Sequence, residues 1–165
     1  MLELFSRKPD GIDLRDDQTV VPIAADGAAA SLSAILLDDT YYELIQQHAE
    51  VRDGVRMATA SVLVPLKARA WLNLSERKAN GGNVDQKDVD KHRTDVFRLA
   101  ATLPAEAGPI LPDLALDELR RFVGAFPDDA KEWPAILESL KTTFSGTPLR
   151  PAELRLALET FFRLA

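Results

Sequence analysis

The chain contains no cysteine and only two histidines among its 165 residues. The absence of cysteine excludes a disulfide framework and every cysteine-ligated metal site. A zinc site would have to combine His48 or His92 with several carboxylates, which is an unusual ligand set for zinc. We therefore expect no zinc site in this protein.

Long apolar runs are also missing from the chain. No stretch reaches about 18 uninterrupted apolar residues, and the N-terminus lacks the basic-then-apolar pattern of a signal peptide. We therefore expect a cytoplasmic protein with no membrane partner. The formal net charge of −6 argues against a dominant nucleic-acid surface, although it is compatible with a local basic pocket.

A hydrophobic content of 46% and a charged content of 28% are typical of a globular protein, and the length suits one domain over residues 1–165. Residues 1–60 are predicted to form mostly strands with one helix. The predicted strands are 2–6, 19–24 and 56–59, and the predicted helix is 39–47, which starts with a capping acid. Residues 31–37 are compatible with either a strand or a helix.

Residues 61–165 are predicted to be helical. Ser61 is the expected N-cap of a first helix that ends near Lys78, before Asn80 and two glycines. The further predicted helices cover 86–103 and 113–126, and two more begin around Pro134 and Pro151. We therefore predict an α+β fold, in which a small partial β-sheet at the N-terminus packs on a helical bundle.

The segment 87–103, KDVDKHRTDVFRLAATL, has the most informative pattern of charges. Asp88, Lys91, His92 and Asp95 follow one another along one side of the predicted helix. The apolar stripe beside them consists of Val89, Val96, Leu99, Ala100 and Leu103. The polar side chains therefore lie at the boundary of the buried face, where packing holds them and a cleft can be reached.

Two cations border the predicted apolar stripe of the preceding helix, which is Leu63, Leu66, Ala70 and Leu74. Lys67 and Arg77 could lay their stems on apolar surface and point their charges outward. They could instead bind an anion. Across the Gly81-Gly82 turn they could also pair with Asp88 or Asp95, either to orient the cations for phosphate or to satisfy partly buried charge.

His92 has three interpretations on sequence alone. It could shuttle a proton, it could join Asp88 and Asp95 as a metal ligand, or it could pack against a neighbouring carboxylate. Glu3 is a further candidate, because alternation in the first strand puts it opposite Leu2 and Leu4, where an acid can hold magnesium. Metal-dependent phosphoryl transfer needs two or three converging carboxylates, and no acid precedes Glu3.

The chain resembles the C-terminal half of bacterial nucleotidyltransferase-like proteins of the abortive-infection toxin type, in the polymerase-β-like superfamily. The resemblance lies in LELFS at 2–6, VPLKARAWL at 64–72, Arg77-Lys78, KDV at 87–89 and KHRTDVFRL at 91–99. It implies a parent reaction that transfers a nucleoside monophosphate from a nucleoside triphosphate with Mg²⁺. It also implies Glu3 as a third carboxylate and Lys67 and Arg77 as nucleotide-binding residues.

The chain departs from that family because it has no Gly-Ser turn followed by an Asp-x-Asp pair. We therefore expect a truncated nucleotidyltransferase-like fold that is inactive alone, whether as a truncated gene product, a shortened fragment or a degenerate homologue. The alternative is a non-catalytic helical interaction module, as in a regulatory or toxin–antitoxin component, with a protein partner. An exposed strand edge at 2–6 would also favour a homodimer.

Overall fold

The computed structural model describes residues 2–7, 20–22, 32–146 and 148–164. The chain divides into two compact units, Met1–Gln47 and His48–Ala165, which are described separately below. Six helices and two small sheets within the described residues confirm the predicted α+β class. The prediction of a nucleotidyltransferase-like fold stays a prediction.

The first unit contains a three-stranded sheet. Strands β1 (Leu2–Arg7) and β3 (Leu32–Leu37) are parallel, and β2 (Val20–Pro22) runs antiparallel to β3 on its other side. The strand alternative for 31–37 is therefore the one observed. Within the described residues β1 is an edge strand, and the homodimer expected through that edge stays a prediction.

Helix α1 (Asp39–His48) follows β3 directly, close to the predicted range. The backbone N–H of Tyr41 donates to Asp38 Oδ1 at 3.1 Å, which caps the first turn. The Arg7 guanidinium at the end of β1 donates to both carboxylate oxygens of Asp39. Tyr41, Leu44 and Ile45 form the buried face of this helix.

The second unit begins with a β-hairpin that the sequence predicted only in part. Strands β4 (Glu50–Arg52) and β5 (Val55–Met57) are antiparallel, and the predicted strand 56–59 overlaps only the second of them. Asp53 and Gly54 both have positive φ, 52° and 77°, as a two-residue hairpin turn of this hand requires. An Asp-Gly pair is a sequence signal for such a turn, but the hairpin was not predicted from it.

Five helices follow among the described residues of the second unit, as predicted for the part of the chain after residue 60. They are α2 (Ala60–Ala79), α3 (Gln86–Ala100), α4 (Asp113–Gly124), α5 (Trp133–Lys141) and α6 (Pro151–Phe162). Helix α2 packs against α3 and α4, and α3 also contacts α5 and α6. Within the described residues, none of the helices combines the length and apolar composition that crossing a membrane would require.

Two sequence predictions for α2 are wrong. Ser61 does not cap this helix, because Thr59 has the extended N-cap backbone and Ser61 already lies in the first turn, 2.7 Å from the Thr59 hydroxyl. The buried residues are Val62, Val64, Pro65, Ala68 and Leu72, whereas the predicted leucine stripe is only half-buried. Because α2 contacts two helices, its buried arc is wider than one stripe, and the small side chain of Ala68 allows close packing.

The core of the second unit contains a cluster of five aromatic rings. Phe97 lies 4.6 Å from Trp133, 5.4 Å from Phe122 and 5.5 Å from Phe126, measured between ring centroids. Trp71 lies at the edge of the cluster, 5.3 Å from Phe122 and 5.0 Å from Phe126. These edge-to-face and tilted arrangements are those that aromatic pairs prefer.

The segment between α3 and α4 is fastened to the end of α6. The backbone N–H of Gly108 donates to the Phe161 carbonyl at 2.8 Å, and Arg163 Nη1 donates to the Gly108 carbonyl at 2.9 Å. A Cβ at residue 108 would lie 2.1 Å from Phe161 Cε1. Only glycine therefore allows this close approach to the buried Phe161 ring.

Candidate functional site

The α2–α3 helical hairpin positions most of the residues that the sequence singled out. Asn80 follows the last residue of α2, and Gly81 turns the chain with a φ of 81°. The backbone N–H of Gly82 donates to the Arg77 carbonyl at 2.9 Å. Helix α3 then starts with Asp85 as its N-cap, whose side chain accepts from the Lys87 N–H.

The predicted pairing across this hairpin is present for one of the two cations. Lys67 Nζ lies 3.8 Å from Asp95 Oδ2, and the two side chains are only 18% and 19% exposed. Arg98 Nη1 donates to the other oxygen, Asp95 Oδ1, at 2.6 Å. Asp95 therefore lies between Lys67 of α2 and Arg98 of its own helix. These three residues are called the Asp95 cluster below.

His92 lies beside the Asp95 cluster and is half-buried. Its Nδ1 atom is buried and has no hydrogen-bond partner. Burial lowers the pKa of His92 below its ordinary value of 6.5, and the charge of Lys67 lowers the pKa further. The negative charges of Asp95 and Asp88 raise the pKa of His92, and the positive charge of Lys91 lowers it.

The other predicted residues of α2 and α3 make no ion pair with the Asp95 cluster in the described part of the chain. Asp88 and Lys91 are exposed on α3, although both are close enough to act on the charge of His92. Arg77 lies ten residues after Lys67 in one continuous helix, so their Cα atoms are about 15 Å apart along its axis. Within the described residues, Arg77 makes no ion pair with Asp88 or Asp95.

Glu3 lies in β1, opposite Ser33 of β3, and its side chain falls outside the described residues. Its role as a third carboxylate stays a prediction. In the part of the chain that the structure describes, no group of three or more histidines and acids is arranged to hold a metal ion. The predicted roles of Mg²⁺ and a nucleoside triphosphate also stay predictions.

A cleft of about 350 Å³ opens between α3 and α5 and is called the α3 cleft. It is lined by four cations, two acids and three smaller residues: Lys87, Lys91, Arg93, Arg98, Asp90, Asp95, Thr94, Ala135 and Ser139. Arg93 pairs with Asp90 at 3.0 Å, and Arg98 pairs with Asp95. No described carboxylate lies within ion-pair distance of Lys87 or Lys91, so the cleft has two uncompensated positive charges.

Lys91 and Asp95 were predicted from the sequence as site residues, whereas Lys87, Arg93 and Arg98 were not predicted to line the same surface. The spacing of Lys87, Lys91 and Arg98 by four and seven residues is a signal for one basic helix face. Which helix forms the other wall could not be found from local sequence, because α5 begins 33 residues after α3 ends.

Comparison of the chain with family models, curated proteins and solved structures finds no match.

The lowered pKa of His92 predicts a loss of stability on acidification. Below about pH 6.5 the unfolded chain binds a proton at His92 more readily than the folded chain, so the free energy of unfolding falls as the pH falls. We expect His92→Gln to have a smaller difference in stability between pH 7.5 and pH 5.5 than the unmodified protein. Urea unfolding followed by circular dichroism measures this difference.

The neighbouring charges give an internal control for this result. Lys67→Met should raise the His92 pKa measured by NMR titration, whereas Asp95→Asn should lower it. Shifts in the same direction for both variants would contradict the charge arrangement around His92.

Proposed function

We propose that the chain is a non-catalytic interaction module that binds an acidic segment of a partner protein in the α3 cleft. The observation that carries this proposal is the pair of uncompensated lysines, Lys87 and Lys91, in a cleft that also contains two arginines. The whole protein has a net charge of −6, so this local excess of positive charge differs in sign from the rest of the protein.

The arginines of the cleft support recognition of carboxylates. Asp95 fixes the guanidinium of Arg98, and Asp90 fixes that of Arg93, which limits the side-chain entropy lost when a ligand binds. Lys87 and Lys91 are flexible point charges that can follow an irregular acidic segment. An acidic segment would therefore be steered to the cleft by charge and held there by preoriented guanidinium groups.

A second candidate function uses the same groups for the phosphates of a nucleotide, as the resemblance to nucleotidyltransferases implies. Arginine guanidinium groups bind phosphate oxygens in pairs, and Arg98 is held in place through Asp95 and Lys67. In this candidate Lys67 supports the site from behind, while Arg77 lies too far along α2 to contact the same phosphate.

A binding experiment can decide between these functions. The probes are a fluorescein-labelled peptide of six glutamates, the same peptide with six glutamines, and the magnesium salt of ATP. We expect the glutamate peptide to bind and the glutamine peptide not to bind. The double variant Lys87→Glu with Lys91→Glu should weaken that binding at least about tenfold, a loss of roughly 1.4 kcal/mol.

The matched control is Lys131→Glu with Arg150→Glu, which changes the net charge equally at exposed residues outside the cleft. An equal loss of binding in this control would show that only the overall charge matters and would overturn the proposal. Binding of ATP without binding of the glutamate peptide would favour the nucleotide candidate instead. If neither probe binds, both functions are wrong.

A further inference from the structure

The β4–β5 hairpin pairs with no third strand among the described residues. All the residues of its two strands are exposed, and three of them have large apolar side chains: Val51, Val55 and Met57 are 65%, 57% and 41% exposed. A two-stranded hairpin is marginally stable in water, and an open strand edge is a template for another strand. The hairpin would therefore gain from an added strand.

The backbone of Val51 is directed away from β5. Arg52 and Val55 flank the two-residue turn and therefore form a hydrogen-bonded pair. Hydrogen-bonded and non-hydrogen-bonded pairs alternate along an antiparallel ladder, so Val51 and Arg56 form a non-hydrogen-bonded pair. The N–H and C=O of Val51 consequently point to the open edge of β4, and no described residue bonds to either of them.

The sequence of β4, Glu50-Val51-Arg52, is complementary in charge to an antiparallel copy of itself. A twofold axis beside Val51 places the two copies of this valine opposite each other, and it places Glu50 of each copy opposite Arg52 of the other. The valines then exchange two backbone hydrogen bonds. The charged residues occupy non-hydrogen-bonded positions, where opposing side chains come closest. The same operation on β5 would place Arg56 opposite itself.

We propose that two copies of this chain associate through β4 and form a four-stranded antiparallel sheet, β5–β4–β4–β5. Within one chain, Arg52 Nε and Nη2 both donate to Glu50 Oε2, at 3.1 and 2.8 Å. Glu50 Oε1 and Arg52 Nη1 remain for the second copy. A second copy fits this edge better than a uniformly acidic or basic strand, because such a strand would meet a like charge at one of the two positions.

The contact is small, with three residues on each strand and two backbone hydrogen bonds. It lies well below the roughly 1,200 Å² of a stable interface, so we expect a dissociation constant on the order of 0.1 mM. Sedimentation equilibrium of the full chain between roughly 0.02 and 1 mM covers this range. A chain that stays monomeric at the highest concentration would overturn the proposal.

Charge reversal tests the predicted register. Glu50→Arg alone leaves two cations opposite each other and Arg52→Glu alone leaves two acids, so each should weaken self-association at least about tenfold. Both changes in one chain restore opposite charges, and this double variant should associate as the unmodified chain does. An equimolar mixture of the two single variants should form a heterodimer for the same reason.

The matched controls are Lys131→Glu and Glu138→Arg, which repeat the two changes in net charge at exposed residues outside the hairpin. They should leave self-association unchanged. Equal weakening in the controls would show that only net charge matters and would overturn the proposal. Unchanged association of both single β4 variants would place the contact on another surface, such as the edge of β1. Failure of the double variant to associate would show that the register is wrong.

Val51→Pro tests the backbone pairing independently of charge. Proline removes the N–H that is directed to the open edge, and it removes no hydrogen bond to β5. We expect this variant to lose self-association while its circular dichroism spectrum stays that of the unmodified chain. Retained self-association would show that the two copies do not pair through β4.

Discussion

Replacement of Phe97 by alanine is expected to destabilise the His48–Ala165 unit by about 3 to 5 kcal/mol. Phe97 is fully buried and its ring contacts Phe122, Phe126 and Trp133. The variant would leave a cavity where α3, α4 and the start of α5 meet, and neighbouring rings can fill it only in part. Urea unfolding followed by circular dichroism gives the change in free energy.

Leu156→Ala is the matched control for this variant, because Leu156 is 61% exposed on α6. Its replacement should change stability by less than about 0.5 kcal/mol. A loss below 1 kcal/mol for Phe97→Ala would contradict the central place of the aromatic cluster in this unit.

Asp95→Asn is expected to cost about 2 kcal/mol, between the values for exposed ion pairs and for broken buried pairs. The substitution removes the negative charge between Lys67 and Arg98, whose side chains are 18% and 36% exposed. Lys67→Met should cost less, because the Lys67–Asp95 distance of 3.8 Å is too long for a hydrogen bond. Both variants are measured by urea unfolding, singly and together.

The double-mutant cycle isolates the interaction between the two charges. We expect a coupling energy of about 0.5 to 1 kcal/mol for Asp95 with Lys67. A coupling energy near zero would show that the two charges do not interact in the folded protein. Loss of stability without any change in binding of the glutamate peptide would assign the Asp95 cluster a purely structural role.

The helices of the second unit could be predicted from sequence because their ends carry local signals. Gly81 and Gly82 separate α2 from α3, and prolines stand at the first turns of α5 and α6. The Lys67–Asp95 pair could also be predicted, because two helices joined by a short turn must lie side by side. These features depend only on neighbouring stretches of the chain.

The features that could not be predicted depend on residues distant in sequence. The buried face of α2 was misjudged, since Val64 and Ala68 are buried only because α3 and α4 both pack against this helix. The α3 cleft could not be predicted from α3 alone, because Ala135 and Ser139 of α5 also line it. A shallow cleft lined by Trp71 and Arg93 likewise includes Phe126 and Glu132, whose positions no periodicity in α2 or α3 indicates.

The tie between Gly108 and the end of α6 has a consequence for the order in which the protein assembles. Arg163 bonds to a carbonyl 55 residues earlier, so this contact closes a long loop and cannot form until α6 has been synthesised. The α2–α3 hairpin depends on contacts between neighbouring segments and can form much earlier. The segment around Gly108 therefore emerges from the ribosome before its partner exists, and the bundle is completed only when Phe161 reaches it.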